Sequence, residues 1–220
     1  MPFADRVEYW SSFFIGRPYL DAPLDDDDMR LRFDGFDCTT FVETCIALAL
    51  SERPDAVLDN LDAIRYRGGR ADFHLRNHFV SVDWIPANSA ILRPLDEWAD
   101  SVVEKEIDRG GFFEKLKRPF PEGLPLKKKE MAEVRFVSKK RAKEVAGRLS
   151  DCTVALFVGG VEWTVFSHMG LLLRVDGKSM LRHASSKREK VVEEAFGDYV
   201  ESRRGLRGVC FAALDAPKSF

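Results

Sequence analysis

Cysteine is scarce in this sequence, with only four residues among 220, and none of them belongs to a Cys-x-x-Cys pair. So few cysteines cannot build a disulfide scaffold, and reduced thiols are expected. Long hydrophobic runs are missing as well, because no apolar stretch approaches the roughly 20 residues that span a bilayer. These two absences exclude a small disulfide-rich protein and predict no membrane span.

A secretory signal is not visible in residues 1–16, which lack a basic head followed by an apolar run and a small-residue cleavage site. The sequence alone therefore predicts a cytoplasmic location. An excess of one charge is missing too, since 34 Lys and Arg stand against 36 Asp and Glu, for a net charge of −2. This balance disfavours a broad contact with nucleic acid or an anionic membrane. It favours a partner that is small or neutral overall, and no obligate protein partner is evident.

The composition itself is that of an ordinary globular chain, with 45% hydrophobic and 32% charged residues. One domain covering residues 1–220 is the simplest organisation for this length. Asp25–Asp28 is predicted to be a solvated loop. Several prolines interrupt residues 88–131, which are interpreted as an insertion beside the core.

Hydrophobic periodicity predicts mainly helices in the first half and strands in the second. Apolar residues from Cys38 to Leu50 recur every three to four positions, and Asp37 stands at the N-cap position. Helices followed by an antiparallel sheet define an α+β fold. The predicted helices are Phe3–Phe14, Cys38–Leu50, Asp55–Arg65, Lys140–Leu149 and Val191–Ser202. The predicted strands are Phe79–Ile85, Val134–Val137, Thr153–Val158, Val165–Val175, Met180–Ala184 and Gly208–Leu214.

Cys38 is the candidate nucleophile. Because it opens a helix, its sulfur is expected near the positive end of the helix dipole, which favours thiolate over thiol. Its backbone N–H could also donate to an oxyanion. The alternative is that Cys38 is a small buried core residue. Cys45, Cys152 and Cys210 are interpreted as core residues.

Two histidines are predicted to meet on one face of a hairpin. Asp176-Gly177 is a strong signal for a two-residue turn. With that turn, Gly170 lies opposite His183, and His168 becomes a diagonal neighbour of His183 with backbones roughly 7 Å apart. One imidazole can then act as a base while the other orients it, and Gly170 leaves room between them. A three-residue loop would turn His183 to the opposite face.

His74 and His78 form a His-x3-His pair, which at helical spacing could hold zinc. No glutamate follows the first histidine, as an HExxH hydrolase requires. We therefore predict no metal and no cofactor, and interpret His78 as a pocket or structural residue.

Four short segments carry a resemblance to a known family, and three of them contain Cys38, His168 or His183. They are Gly16-Arg17-Pro18-Tyr19, Phe36-Asp37-Cys38-Thr39-Thr40-Phe41-Val42-Glu43, Ser167-His168-Met169-Gly170 and His183-Ala184-Ser185-Ser186. In this order they resemble the NlpC-type papain-fold cell-wall hydrolases. Further segments resemble the N-acetylmuramoyl-L-alanine amidase-like branch: Arg65-Tyr66-Arg67-Gly68-Gly69, Arg76-Asn77-His78-Phe79 and Asp83-Trp84-Ile85.

The resemblance implies a papain-like core and cleavage of the amide between the muramic lactyl group and L-alanine in muropeptides. Cys38, His168 and His183 would be the catalytic set. The implied substrate-binding residues are Tyr19, Asp37, Arg76, His78, Trp84, Ser167 and Ser185, although Trp84 is equally compatible with the core. Members of this family are usually exported, so the resemblance favours the cell envelope over the cytoplasm.

Two other functions remain open. The same chemistry could cut another bond, as in γ-D-glutamyl endopeptidases of this fold, because a fold alone does not choose the bond. A muropeptide-binding module without activity is the second alternative, although the intact Cys, His and His set disfavours it. The sequence leaves the sugar form, the peptide length and the oligomeric state open.

Overall fold

A computed structural model describes residues 1–21, 30–149, 151–159 and 163–216. The predicted loop at Asp25–Asp28 lies outside these residues. Among them, no helix combines the length and the apolar character needed to cross a bilayer. The α-helices are α1 (Phe3–Ser12), α2 (Cys38–Leu50), α3 (Val57–Arg65), α4 (Ile85–Ala87), α5 (Arg109–Lys115), α6 (Lys139–Ala146) and α7 (Phe196–Ser202).

The strands form one antiparallel sheet in the described part of the chain. They are β1 (Leu92–Pro94), β2 (Ser101–Asp108), β3 (Lys129–Ser138), β4 (Thr153–Gly159), β5 (Phe166–Val175), β6 (Lys178–Ser185), β7 (Lys190–Ala195) and β8 (Leu206–Leu214). Their order is β2-β3-β8-β4-β5-β6-β7, with β1 paired to β8. The predicted α+β fold with an antiparallel sheet is confirmed.

Both faces of the sheet are covered by helices. Helix α2 packs on β5 and β6, with α1 and α3 against it, and α6 and α7 cover the opposite face. Residues of β4 therefore alternate between two apolar clusters, with Leu156 in one and Phe157 in the other. A strand buried on both faces is apolar throughout, as β4 is.

Helix α2 has the bounds that the sequence predicts, because its start and its buried face are encoded locally. The Asp37 carboxylate accepts the backbone N–H of Thr40 at 2.7 Å, and the Thr40 hydroxyl accepts the backbone N–H of Asp37 at 3.0 Å. This reciprocal cap satisfies N–H groups that the first turn leaves open. Cys38 is thereby fixed as the first residue of the helix.

The β5–β6 hairpin also has the predicted register. Val175 pairs with Lys178 and Leu171 with Arg182, so Asp176 and Gly177 form a two-residue turn. Both turn residues have positive φ, 48° and 74°, as a type I′ turn requires. This register turns His168 and His183 to the same face of the sheet.

Two predicted elements are wrong. Phe79–Ile85 is not extended: a π-helix occupies Val80–Trp84 and continues into α4. Asp83 closes this turn by accepting the backbone N–H of Phe79 at 3.2 Å, while Arg109 donates to its other oxygen at 2.7 Å. Distant partners thus stabilise a conformation that local patterning does not indicate.

The predicted helix Val191–Ser202 is wrong in its first half, which belongs to strand β7. Pairing with β6, for example His183 with Val192, holds this segment extended until α7 begins at Phe196. Residues 88–131 contribute β1, β2, α5 and the start of β3, so this segment extends the sheet rather than lying only beside it. Its origin as an insertion stays a prediction.

Candidate active site

The thiol of Cys38 lies at the start of α2, where this helix meets strand β5. The backbone N–H of Met169, the residue after His168, donates toward the sulfur, and the hydroxyl of Thr39 lies 4.0 Å from it. The backbone N–H of Cys38 also faces its own sulfur. The nucleophile candidate therefore lies next to the strand that carries the first histidine.

The protonation of Cys38 differs from the expected thiolate. Burial raises the pKa of this thiol to about 11, and the neighbouring Asp37 carboxylate adds to the rise. The two N–H groups and Thr39 act in the opposite direction but do not outweigh burial. The helix start alone therefore does not hold Cys38 as an anion, and the thiol is neutral at pH 7.

The two histidines of the hairpin are joined by a hydrogen bond. His168 Nε2 lies 2.7 Å from His183 Nδ1, and the rings meet edge to face. Gly170 provides the space between the strands, because a Cβ at this position would lie 2.8 Å from the Cβ of His183. The predicted meeting of the two imidazoles is confirmed.

A bulge in β5 lies directly before the first histidine. Phe157 pairs with His168 and Val158 with Phe166, so Ser167 is an extra residue on β5. Bulges bend a strand and redirect the neighbouring side chain. Here the bulge lies directly before His168, the candidate base, and so affects the direction of its side chain.

Glu194 extends the pair of imidazoles into a chain of three side chains. Its carboxylate accepts a hydrogen bond from His183 Nε2 at 2.9 Å. Because the Glu194 carboxylate can only accept, Nε2 of His183 must carry the hydrogen. The Nδ1 of His183 then accepts the hydrogen bond from His168 Nε2–H. His168 then carries its lone pair on Nδ1, the tautomer of a base whose other nitrogen is already engaged.

The sequence prediction missed Glu194 because residues 191–202 were interpreted as one helix. In β7, alternation places Glu194 on the face of Val192, the partner of His183. Two adjacent β-branched residues, Val191 and Val192, were the available signal for a strand, but the segment 190–195 does not alternate and is compatible with a helix.

His168 is held as a neutral imidazole. Burial lowers its pKa to about 3, and the charge that His183 carries when protonated and the charge of Arg203 act in the same direction. Burial also lowers the pKa of His183, although Glu194 opposes this shift. Both His168 and the Cys38 thiol are therefore neutral at pH 7.

Tyr199 of α7 packs against both imidazoles. Its ring stacks on His168 at 5.8 Å between centroids and meets His183 edge to face at 5.1 Å. Burial raises the pKa of Tyr199 to about 12, and a negative charge at Cys38 contributes to the rise. Tyr199 is thus a second residue of the site that the sequence did not indicate.

A cleft of about 520 Å³ opens beside His168. Its described lining comes from the ends of β4 and β5, the loop after β6 and the C-terminal part of α7 with the following loop. The lining residues are Phe157, Gly159, Ser167, His168, Ser186, Tyr199, Ser202, Arg203, Arg204, Gly205 and Leu206.

Of the predicted substrate-binding residues, Tyr19 and Ser167 lie close to the predicted catalytic residues. Burial raises the pKa of Tyr19 to about 12, and the neighbouring Cys38 is the next cause. Ser167 lines the cleft and donates to the carbonyl of Phe157 at 3.2 Å. Ser185 is buried and accepts the backbone N–H of Arg188, and the Asp37 carboxylate serves the helix cap instead of the open cleft.

The other predicted pocket residues are not among the described lining residues of this cleft. Trp84 is fully buried in the apolar core, so of its two interpretations the core residue is the one that the structure supports, and its implied place in the substrate pocket is corrected. His78 packs on Phe73, and its Nε2 lies 2.8 Å from the carbonyl of Phe73. Arg76 is half-buried and pairs through its backbone with Tyr66 at the end of α3.

His74 and His78 do not converge on a shared ligand. The Nε2 atoms of the two rings lie against different carbonyls, those of Pro119 at 3.1 Å and Phe73 at 2.8 Å. Within the residues that the structure describes, no group of three or more His, Cys, Asp or Glu side chains could hold a metal ion.

The fold and the site define an α+β protein in which a thiol at a helix start lies against the strand that carries one of two hydrogen-bonded imidazoles. Residues 9–206 match the model of a family described as N-acetylmuramoyl-L-alanine amidase-like. The chain belongs to this family. No curated protein sequence matches it significantly.

Solved structures of similar fold cover nearly the whole chain. One is a protein of Legionella pneumophila, with 20% identity and a TM-score of 0.86, over 99% of this chain and 91% of the other. Another is an N-acetylmuramoyl-L-alanine amidase from Bacteroides uniformis, with 22% identity and a TM-score of 0.81, over 97% and 99%. At this identity, the likeness establishes the shared fold.

Proposed function

We propose that this protein is a cysteine-dependent N-acetylmuramoyl-L-alanine amidase with a papain-like arrangement of its catalytic residues. Cys38 is the nucleophile, His168 the base, and His183 the residue that orients the base. The observation that carries this proposal is the hydrogen-bonded chain from His168 through His183 to Glu194, which begins on the strand whose Met169 backbone N–H is directed at the Cys38 sulfur. Membership in an amidase-like family supports it independently.

In the first step, the Cys38 sulfur attacks the lactyl carbonyl carbon while the thiol proton passes to His168 Nδ1. Because both groups are neutral at rest, the proton moves during attack instead of before it. The sulfur–carbon bond forms, and the carbonyl oxygen takes the negative charge. The backbone N–H of Cys38 at the helix start is a donor suited to that oxygen.

In the second step, the carbon–nitrogen bond breaks and His168 gives its proton to the departing amine of L-alanine. The product left on the enzyme is a thioester between Cys38 and the muramoyl group. Water then attacks the thioester with His168 again as base, which releases the muramic acid and restores the thiol. The bonds to His183 and Glu194 support a lone pair on His168 Nδ1, the nitrogen that this mechanism needs to face the sulfur.

Product analysis of defined muropeptides tests this proposal. Wild-type protein is incubated with a muramoyl tetrapeptide, and the products are identified by mass. The expected product is the intact peptide with L-alanine at its N-terminus, and Cys38→Ala is expected to release none. Cys210→Ala is the matched control, because Cys210 is a buried thiol on β8 outside the site and its loss should preserve turnover.

The two alternatives give different products. A γ-D-glutamyl endopeptidase would leave L-alanyl-D-glutamate on the sugar and release the rest of the stem. A binding module without activity would retain the intact substrate at every time point. Either result would overturn the amidase proposal.

A further inference from the structure

The cleft beside His168 is positively charged along the part of its wall that the structure describes. Arg203 and Arg204 are the charged lining residues there, apart from the neutral His168, and no described lining residue is acidic. Neither arginine forms an ion pair with any described residue. The whole chain has a net charge of −2, so the positive charge of this cleft is a local feature. It indicates that the cleft binds a negatively charged group.

Arg203 is held close to the reacting residues. Its guanidinium lies 4.6 Å from the ring centre of Tyr199, the ring that stacks on His168. Its backbone carbonyl accepts a hydrogen bond from Lys139 at 2.6 Å, which fixes the loop after α7. The charge of Arg203 also contributes to the lowered pKa of His168, as expected for a cation close to this imidazole.

The chemistry of a guanidinium identifies the ligand class. Its planar set of N–H donors matches the two oxygens of a carboxylate, and such bonds are stronger than neutral ones. Arg203 is half-buried, so a bound carboxylate would be partly shielded from water. In a muramoyl peptide the lactyl carboxyl is consumed in the amide, so every free carboxylate belongs to the peptide.

We propose that Arg203, with Arg204 at the mouth of the cleft, forms a subsite for a carboxylate of the substrate's peptide stem. This inference rests on the proposed amidase function and orients the substrate. The peptide occupies the cleft next to α7, and the sugar lies outside it. The site therefore prefers peptides with free carboxylates over the same peptides with carboxamides.

A matched pair of substrates tests the preference. One is muramoyl-L-alanyl-D-glutamate, and the other is its diamide, in which both glutamate carboxylates are carboxamides. The readout is the ratio of kcat/KM between the acid and the diamide. Because any effect of Arg203 on His168 acts on both substrates alike, the ratio isolates carboxylate binding.

Wild-type protein is expected to prefer the acid by about ten- to hundredfold, as a charge-assisted bond to a partly buried partner implies. Arg203→Gln should bring the ratio close to one, mainly through a higher KM for the acid, and Arg203→Lys should retain part of it. Arg207→Gln, which removes an exposed arginine packed over Phe136, should keep the wild-type ratio.

A wild-type ratio near one would overturn the inference without the need for a variant, while leaving the amidase proposal intact. A ratio that Arg203→Gln leaves unchanged in folded protein would do the same. If neither substrate is hydrolysed by wild-type protein, the proposed function fails and the subsite fails with it.

Discussion

This chain contains two pairs of histidines, and in the described part of the structure a hydrogen bond joins the rings of only one pair. His168 and His183 lie on adjacent strands, bond to each other at 2.7 Å and continue to Glu194. His74 and His78 are four residues apart in sequence, yet their rings bind the carbonyls of Pro119 and Phe73 separately. Proximity in the fold is thus set by strand register, which joins residues distant in sequence, and closeness in sequence does not make a site.

Of the changes that test this comparison, loss of the proposed base His168 should have the largest effect on activity. His168→Gln removes the nitrogen that accepts the thiol proton, so kcat/KM for a muropeptide should fall about a thousandfold. His74→Gln makes the same change in the other pair. Its kcat/KM should stay within about twofold of wild type, because the proposed proton transfer uses His168 and not His74. Steady-state assays of both variants, with folding checked by circular dichroism, make the comparison. Equal losses in the two variants would contradict the distinction between the pairs.

Filling the gap between the strands should have the next largest effect. Gly170→Ala places a Cβ 2.8 Å from the Cβ of His183 and 3.0 Å from the carbonyl of Arg182. Such overpacking costs about 1–3 kcal/mol of stability, and a displaced His183 should lower kcat/KM about a hundredfold. Gly110→Ala is the control, because the nearest atom to its new Cβ would be a side-chain oxygen of Asp108 at 3.3 Å, without the close backbone and Cβ contacts of Gly170. Urea denaturation and rate assays report both effects, and an active, stable Gly170→Ala would count against the geometry.

Acid should destabilise the protein through the imidazole pair. His168 has a folded pKa of about 3, and an unfolded histidine titrates at about 6.5. Between these values the unfolded chain binds a proton that the folded site does not, so stability falls as the pH decreases through this window. From pH 7 to pH 5, His168 should account for at most about 2 kcal/mol of lost stability. The loss should be smaller in His168→Gln, as measured by urea denaturation at both pH values, and equal losses would show that His168 does not titrate as described.

The smallest of these effects is expected at Glu194, the last residue of the hydrogen-bonded series that begins at His168. Glu194→Ala frees His183 to adopt the other tautomer, and kcat/KM should fall about tenfold because only part of the orientation is lost. Glu194→Gln retains an oxygen acceptor 2.9 Å from His183 Nε2 and should recover most of that rate. A merely structural glutamate would show no such rescue in the rate assay.

The parts of the site that could be predicted from sequence are those with local signals. Asp37 caps the helix that begins at Cys38, and Asp176-Gly177 fixes the hairpin register that unites the two histidines. Both signals lie within a few residues of the feature that they determine. This is why the bounds of α2 and the meeting of His168 with His183 were predictable.

The parts that could not be predicted depend on distant partners. Glu194 is extended only because β7 pairs with β6, and Trp84 lies in a turn whose Asp83 is bound by the distant Arg109. The protonation of Cys38 follows the same rule: burial of the thiol, which sequence does not reveal, outweighs the effect of the helix start on its pKa. Tyr199 became visible as a site residue only when the structure placed α7 over the imidazoles.

The most direct test of the proposed mechanism is the mass of the enzyme during turnover. Wild-type protein is mixed with a muropeptide, quenched in acid within milliseconds and analysed by intact mass and peptide mapping. The account predicts an added muramoyl group as a thioester on Cys38, formed as the free peptide appears. Peptide release without any adduct on Cys38, at a rate that Cys38→Ala preserves, would contradict it.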